Sequence, residues 1–176
     1  SQSNDDYYQA IIDILCSYIR QNSPFTEENT TVRIDVQTAM TVIGRRSAKQ
    51  DETPLNLNHT NLNGVFLVRA KLVGANLARA NLEGAKLAEA KLAKANLFRA
   101  NLFRADLRRA NLAEASLWGA RLGQAKLEEA YLAEAFLGGT EHLTCEQLQK
   151  ATDWEKSYRD PALSCGAEIP RRRNKS

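Results

Sequence analysis

The 176-residue sequence predicts a mainly β fold, a solenoid wound from short repeats, and three observations predict it. From Leu57 to Leu137 a leucine occupies every fifth position without a miss, seventeen in one register. Two residues before each leucine stands an alanine from Ala70 to Ala135, with Leu55, Thr60 and Val65 in the first three units. Between the two sits a mostly polar residue, as at Asn56, Asn61, Asn76, Asn81, Asn96, Asn101, Asp106 and Asn111, so the unit reads A(N/D)LXX.

Residue preference alone points elsewhere. Ala, Leu, Glu, Lys and Arg are the best helix formers, and AKLAEAKLAKA looks helical. The period overrules it: at about 100° per residue a five-residue step advances the leucine by about 140°, smearing the series around the helix instead of lining one face. In an extended segment side chains alternate, so Ala and Leu point inward together while the polar residue between them points out. The last two residues of each unit then turn a corner, and each pentapeptide forms one short side of a coil. Units of this kind bury a core only by stacking.

These repeats resemble those of the pentapeptide-repeat family. The resemblance covers about half the chain and implies a right-handed quadrilateral parallel β-helix with four pentapeptides to a coil. Seventeen units then make a little over four coils, roughly 20 Å long at about 4.8 Å per stacked strand. Interior leucines such as Leu102 carry on the order of 1.5–3 kcal/mol each, so a lysine there is expected to disrupt the stack.

The chain divides into an N-terminal cap and linker (1–54), the solenoid (55–140), and a C-terminal cap with a basic tail (141–176). An open solenoid exposes unpaired backbone and apolar interior at its ends, and the flanks have the character of covers. Over 5–21, Tyr8, Ile11, Ile12, Leu15 and Ile19 recur at helical spacing, with Asn4 or Asp5 as cap. A second helix is expected over 35–45, capped by Asp35, with Val36, Ala39, Met40 and Ile43 on one face and Gly44 near its stop. Asn22–Thr31 and Arg45–Pro54 read as loops. After the repeats, Thr144-Cys145-Glu146-Gln147 has the form of a capping box, and Leu143, Leu148 and Trp154 are available to close the last coil. A further turn begins at Asp160-Pro161. The segments DVQTAMTVIGRR and LTCEQLQKATDWEKSYRDPAL look similar to flanks of cyanobacterial and other bacterial pentapeptide-repeat proteins. In some of those the first helices follow membrane-spanning segments, which leaves an upstream anchor open.

Composition narrows the function classes. No run of about 18 apolar residues and no signal-peptide pattern occurs, so the expectation is a cytoplasmic chain without a membrane span. The first residue is Ser1, not Met, which fits a processed or partial chain. The net charge is −3 over 1–54, +5 over 55–140 and +1 over 141–176. The tail Arg171-Arg172-Arg173-Asn174-Lys175 reads as a solvated end. Cys16, Cys145 and Cys165 lack CxxC spacing, and with two histidines, His59 and His142, they predict no metal site. Free thiols are the expectation, although Cys145 and Cys165 both follow the repeats and are the pair able to bridge.

Positions twenty apart stack in columns under a four-sided coil. Arg69, Glu89, Arg109 and Glu129 form an alternating-charge ladder, and Asn56/Asn76/Asn96 and Asn61/Asn81/Asn101 form amide ladders, all read as structural. The column Asn58, Ala78, Phe98, Trp118, with Phe103 on the next face, is of another kind. The candidate interaction patch is Phe98, Phe103, Trp118, Arg99, Arg104 and Arg108, with Arg109 nearby, because exposed aromatics beside arginines are what binding hot spots contain. The competing structural reading has Phe98 and Trp118 stacking to shield the backbone. No catalytic constellation, phosphate loop or cofactor motif is present, so neither an enzyme nor a cofactor is expected. The expected role is an interaction scaffold for a protein partner, monomeric because its ends are covered. Alternatives are a basic surface for nucleic acid or an anionic membrane, and the topoisomerase inhibition of the family's strongly acidic DNA-mimicking members, which the positive solenoid opposes.

Overall fold

The structure is a computed structural model that describes residues 2–24, 32–45, 54–168 and 170. Parallel backbone bridges join residues twenty apart on all four sides. They run Asn56–Asn76–Asn96–Ser116–Phe136, Asn61–Asn81–Asn101–Arg121–Glu141, Phe66–Lys86–Asp106–Lys126 and Lys71–Lys91–Asn111–Tyr131. Each side is too short to be more than a bridge, and the coil is held instead by repetition of one bonding pattern. In one unit, Leu77 N–H donates to Asn96 O (2.8 Å), Arg79 N–H to Phe98 O (2.8 Å) and Asn96 N–H to Ala75 O (2.9 Å), while Ala80 N–H closes the turn onto Leu77 O (3.0 Å).

Every corner places its second residue at positive φ. In five of the seventeen units this residue is glycine; in the other twelve, from His59 (φ 56°) to Glu134 (φ 59°), a side-chain-bearing residue takes the left-handed conformation. That costs roughly 1–2 kcal/mol per residue relative to the right-handed region, a cost the cooperative ladder and interior burial offset. Leu57 through Leu137 and Ala70 through Ala135 are buried, and Thr60, in an alanine slot, donates its hydroxyl to Leu57 O (2.7 Å).

The N-terminal cover comprises α1 (Gln2–Asn22) and α2 (Ile34–Gly44). Helix α1 starts earlier than expected, so Asn4 and Asp5 lie inside it rather than capping it. The cap position of α2 is Arg33, not Asp35. Asp35 is the second residue of the helix, where its carboxylate accepts from Val36 N–H (2.9 Å) and from the Tyr18 hydroxyl (2.5 Å). The apolar stripe of α2 is as its spacing predicts, with Val36, Ala39, Met40 and Ile43 buried together with Ile12, Cys16 and Ile19 of α1.

These helices close the first coil by supplying partners to its open edge on each of the four sides. Arg20 Nη1 donates to Asn56 O (2.5 Å). Asn61 N–H donates to Ser23 O (2.6 Å) and Asn61 O accepts from the Ser23 hydroxyl. The Gln37 amide spans both groups of Phe66, accepting from its N–H (2.8 Å) and donating to its carbonyl (3.1 Å), and Lys71 N–H donates to Gly44 O (3.0 Å). An edge with its groups satisfied in this way no longer templates another strand. The expected loops fall partly outside the described residues, as do residues 171–176 of the basic tail.

At the other end the chain continues the ladder. Helix α3 (Cys145–Gln149) carries the expected capping box between Thr144 and Gln147, and Gln147 also reaches the carbonyls of Leu122 and Ala125 (2.9 Å each). Tyr131 then pairs with Thr152 and Phe136 with Tyr158, so the cap adds two sides of a further coil outside the pentapeptide register. Leu143, Leu148 and Trp154 are buried beneath it.

Arg159 organises this cap. It is buried over the Trp154 ring (5.0 Å), and donates to the carbonyls of Leu163 (2.9 Å), Trp154 (3.1 Å), Glu155 (3.1 Å) and Ser157 (2.9 Å). Burial pushes its guanidinium below the ordinary arginine range.

The expectation of free thiols fails at two of three cysteines. Cys145 and Cys165 form a disulfide with Cα atoms 5.4 Å apart, because the chain after Arg159 folds back beside α3; Cys16 is buried and lies outside that bridge. The bridge closes a loop of sequence separation 20, which in the chain-entropy picture is worth about 3 kcal/mol. Reduction is therefore expected to lower the melting temperature by roughly 6–12 °C for a chain of this size. Superimposable melting curves with and without reductant would remove the bridge from the account of cap stability.

Candidate interaction surface

Five residues turn the chain through one side of the coil, so the candidate residues fall on three successive corners. Phe98, Arg99 and Trp118 share the first, Phe103 and Arg104 the second, and Arg108 the third.

The first corner concentrates the aromatic surface. Trp118 lies flat across the backbone of the coil below, over Gly138: a Cβ there would stand 2.3 Å from Trp118 Cζ3. Gly138 is not at positive φ, so its lack of a side chain answers the tryptophan and not a backbone demand. Trp118 nevertheless remains 52% exposed. Arg99 repeats the arrangement, its stem passing above Gly119 (3.1 Å from a Cβ built there) and its guanidinium folding over the Phe98 ring at 5.2 Å. Trp118 thus covers backbone at Gly138 as the structural reading expects, but the stack with Phe98 that the same reading requires is not found among the described residues, where Arg99 covers the Phe98 ring instead.

Beside Trp118 a shallow groove runs to the C-terminal cap, lined by Phe136, Gly138, Tyr158, Asp160 and Pro170. Phe136 and Tyr158 stack with ring centroids 5.0 Å apart and 11° between planes, and the Asp160 carboxylate accepts from Gly139 N–H at 2.7 Å. Sequence reasoning missed Phe136, Tyr158 and Pro170. Tyr158 stands twenty-two residues after Phe136, so a search at the twenty-residue coil period passes over it. A usable signal did exist, in the glycines standing twenty residues after Trp118 and Phe103.

On the second corner Phe103 lies over Gly123 in the same manner, with Cδ2 at 3.0 Å from a Cβ placed there. Arg104 covers the Phe103 ring at 4.8 Å and donates from Nε to the Gln124 side chain (3.0 Å). Arg108, on the third corner, is engaged with its own neighbour, gripping the Asp106 carboxylate through Nε (2.8 Å) and Nη2 (2.7 Å). That hydrogen-bonded pairing holds Asp106 below the usual carboxylate range and raises Arg108. The sign follows: a depressed carboxylate contributes stability above its unfolded pKa, and the contribution is lost as pH falls through the folded one.

The expected charge ladder forms as two separate pairs, Arg69–Glu89 (2.8 Å) and Arg109–Glu129 (2.9 Å), and Lys94–Glu114 (3.7 Å) and Arg121–Glu141 (3.6 Å) add two more. All are exposed and contribute little to stability. The amide ladder is continuous along Asn61, Asn81 and Asn101 (3.1 and 3.0 Å). In the other column it is reduced to one long contact, Asn76 to Asn56, at 3.5 Å. Among the described residues no group of three His, Cys, Asp or Glu side chains is placed to hold a metal ion, and no helix is long and apolar enough to cross a membrane.

If Trp118 is held in place by the absence of a side chain at residue 138, Gly138→Ala displaces it. We expect its fluorescence to become more accessible to a collisional quencher, with Trp154 buried and contributing little to the change. Unchanged quenching would mean that the ring does not rest on Gly138.

The fold and this surface define a class, the capped four-sided repeat solenoids. Residues 55–141 match the model of pentapeptide repeats in eight copies, over 55–87, 67–102, 75–112 and 105–141, and the chain belongs to that family, whose fold is the right-handed quadrilateral β-helix. Among solved structures, a pentapeptide repeat protein from the cyanobacterium Cyanothece 51142 is 34% identical over 60% of each chain, with a TM-score of 0.41. The alignment therefore spans well under two thirds of that relative. A pentapeptide repeat protein from Nostoc Pcc 7120 is 27% identical over 71% of this chain and 98% of its own (TM-score 0.40). One from the Arabidopsis thaliana thylakoid lumen is 26% identical over 64% of this chain and 65% of its own (TM-score 0.29). No curated protein matches the chain.

Proposed function

We propose that the chain is a non-catalytic interaction scaffold that binds a protein partner through the Phe98–Arg99–Trp118 corner, with Phe103 and Arg104 flanking it. The observation that carries this reading is Trp118, a large aromatic resting over a glycine yet half exposed. Rigid aromatics beside an arginine bind at low entropic cost and dominate measured hot spots.

The nucleic-acid alternative is weaker, since five of the twelve basic residues of 55–140 (Arg69, Lys94, Arg108, Arg109 and Arg121) are spent in ion pairs. Affinity capture from native cells with the wild type and a Phe98→Ala/Phe103→Ala/Trp118→Ala variant tests the proposal. A partner retained by the wild type and lost by the equally folded variant supports it; identical captures sink it.

The expected cytoplasmic location is in tension with the Cys145–Cys165 bridge, because structural disulfides persist chiefly in oxidising compartments. Thiol alkylation of protein taken directly from native cells decides the matter: both cysteines alkylated favours the cytoplasm, both protected an oxidising compartment.

A further inference from the structure

The cap that closes the solenoid's first coil leaves an apolar surface of its own. Helix α1 packs inward through Ile12, Cys16 and Ile19. On its opposite face Tyr7 (73%), Ile11 (53%), Ile14 (67%) and Tyr18 (36%) are exposed. Spacings of four, three and four residues keep these side chains on one stripe along the helix. Among the described side chains, helical geometry places Ala10, Leu15, Gln21 and Asn22 nearest to them, and none of these is charged. A lone solvated helix face reads the other way, polar opposite its buried stripe.

We propose that this stripe is a homodimer contact in which α1 packs antiparallel against α1 of a second copy. The pattern is the same read in either direction about its midpoint. A two-fold axis there sets Tyr7 against the second copy's Tyr18 and Ile11 against its Ile14, the self-complementarity an isologous contact requires. Tyr18 donates its hydroxyl to Asp35, the residue that follows Ile34, itself 86% exposed at the start of α2.

Taking about 200 Å² for a whole large side chain, the five exposures sum to roughly 600 Å² per copy. Complete coverage in two copies would bury at most about 1,200 Å², the lower bound of specific interfaces. The dimer is accordingly weak and concentration-dependent. It does not depend on the aromatic corner, and it revises the expectation of a monomer: covering the solenoid's end removes one route to association, and the cover supplies another.

Sedimentation equilibrium over a concentration series tests this. The average mass of the 176-residue chain rises toward that of two copies, and Ile11→Glu/Ile14→Glu, with unchanged circular dichroism and melting, weakens association at least about tenfold. Orientation is read by disulfide trapping: an equimolar mixture of Tyr7→Cys and Tyr18→Cys chains cross-links to the heterodimer in preference to either homodimer. A wild type that stays monomeric to about 1 mM overturns the proposal. So does a double variant that associates like wild type, or trapping that favours Tyr7→Cys homodimers. A monomer that floats with phosphatidylglycerol vesicles, and stops doing so in the double variant, overturns it in favour of a lipid surface.

Discussion

Leu102→Lys is expected to destroy the cooperative fold of the solenoid. Leu102 is fully buried in the third coil, in column with Leu82 above and Leu122 below. Removing the leucine costs about 2–5 kcal/mol in lost burial and packing. Placing an ammonium among leucines and alanines adds several kcal/mol more unless the chain opens to solvate it. Together these approach the whole stability of an ordinary domain, about 5–15 kcal/mol. Because each coil is bonded only to its neighbours, the break separates the second coil from the fourth. Circular dichroism melting should show loss of the transition or a drop of more than about 15 °C. A melting point within a few degrees of wild type would mean that the interior tolerates water, contrary to the packing described.

Arg159→Leu is expected to unfold the C-terminal cap while sparing the middle of the solenoid. The substitution strips donors from four carbonyls at 3.1 Å or closer, and each buried acceptor left unsatisfied costs about 1–3 kcal/mol. Arg159→Lys does not restore them, since one compact ammonium with three donors cannot span acceptors spread from Trp154 to Leu163. Hydrogen exchange reads the result directly. The amides of Leu132 and Leu137, which donate to Thr152 and Tyr158 of the cap, lose protection. That of Leu97, bonded to Ser116 within the repeats, keeps it. Uniform retention of protection would show that the cap is held by Trp154, Leu148 and the disulfide without the arginine.

Neither Arg159 nor the closing hydrogen bonds of the N-terminal helices were visible in the sequence. Arg159 is one of twenty-four basic residues and lies in no repeat. Its importance comes from the carbonyls of Trp154, Glu155, Ser157 and Leu163 folding around it. Gln37 likewise is an ordinary helical glutamine until α2 lies across the first coil and sets its amide against both backbone groups of Phe66. The candidate patch was legible as residue types at fixed spacing, but the pairing of Arg108 with Asp106 two residues earlier shows only in the structure.

What the sequence by itself determined is the solenoid. A period of five is incompatible with one helical face and compatible with alternation followed by a corner, and this holds whatever the rest of the chain does. It also set the inward columns of Ala and Leu, the apolar stripe of α2 and the capping box of α3, since each depends on contacts within a few residues. Only the tertiary structure decided how the ends are finished, which thiols meet, which arginines remain available, and that Trp118 is supported by Gly138. Those outcomes depend on residues brought together across twenty or more positions, or on flanks without a repeat, where no local periodicity records which groups will share a surface.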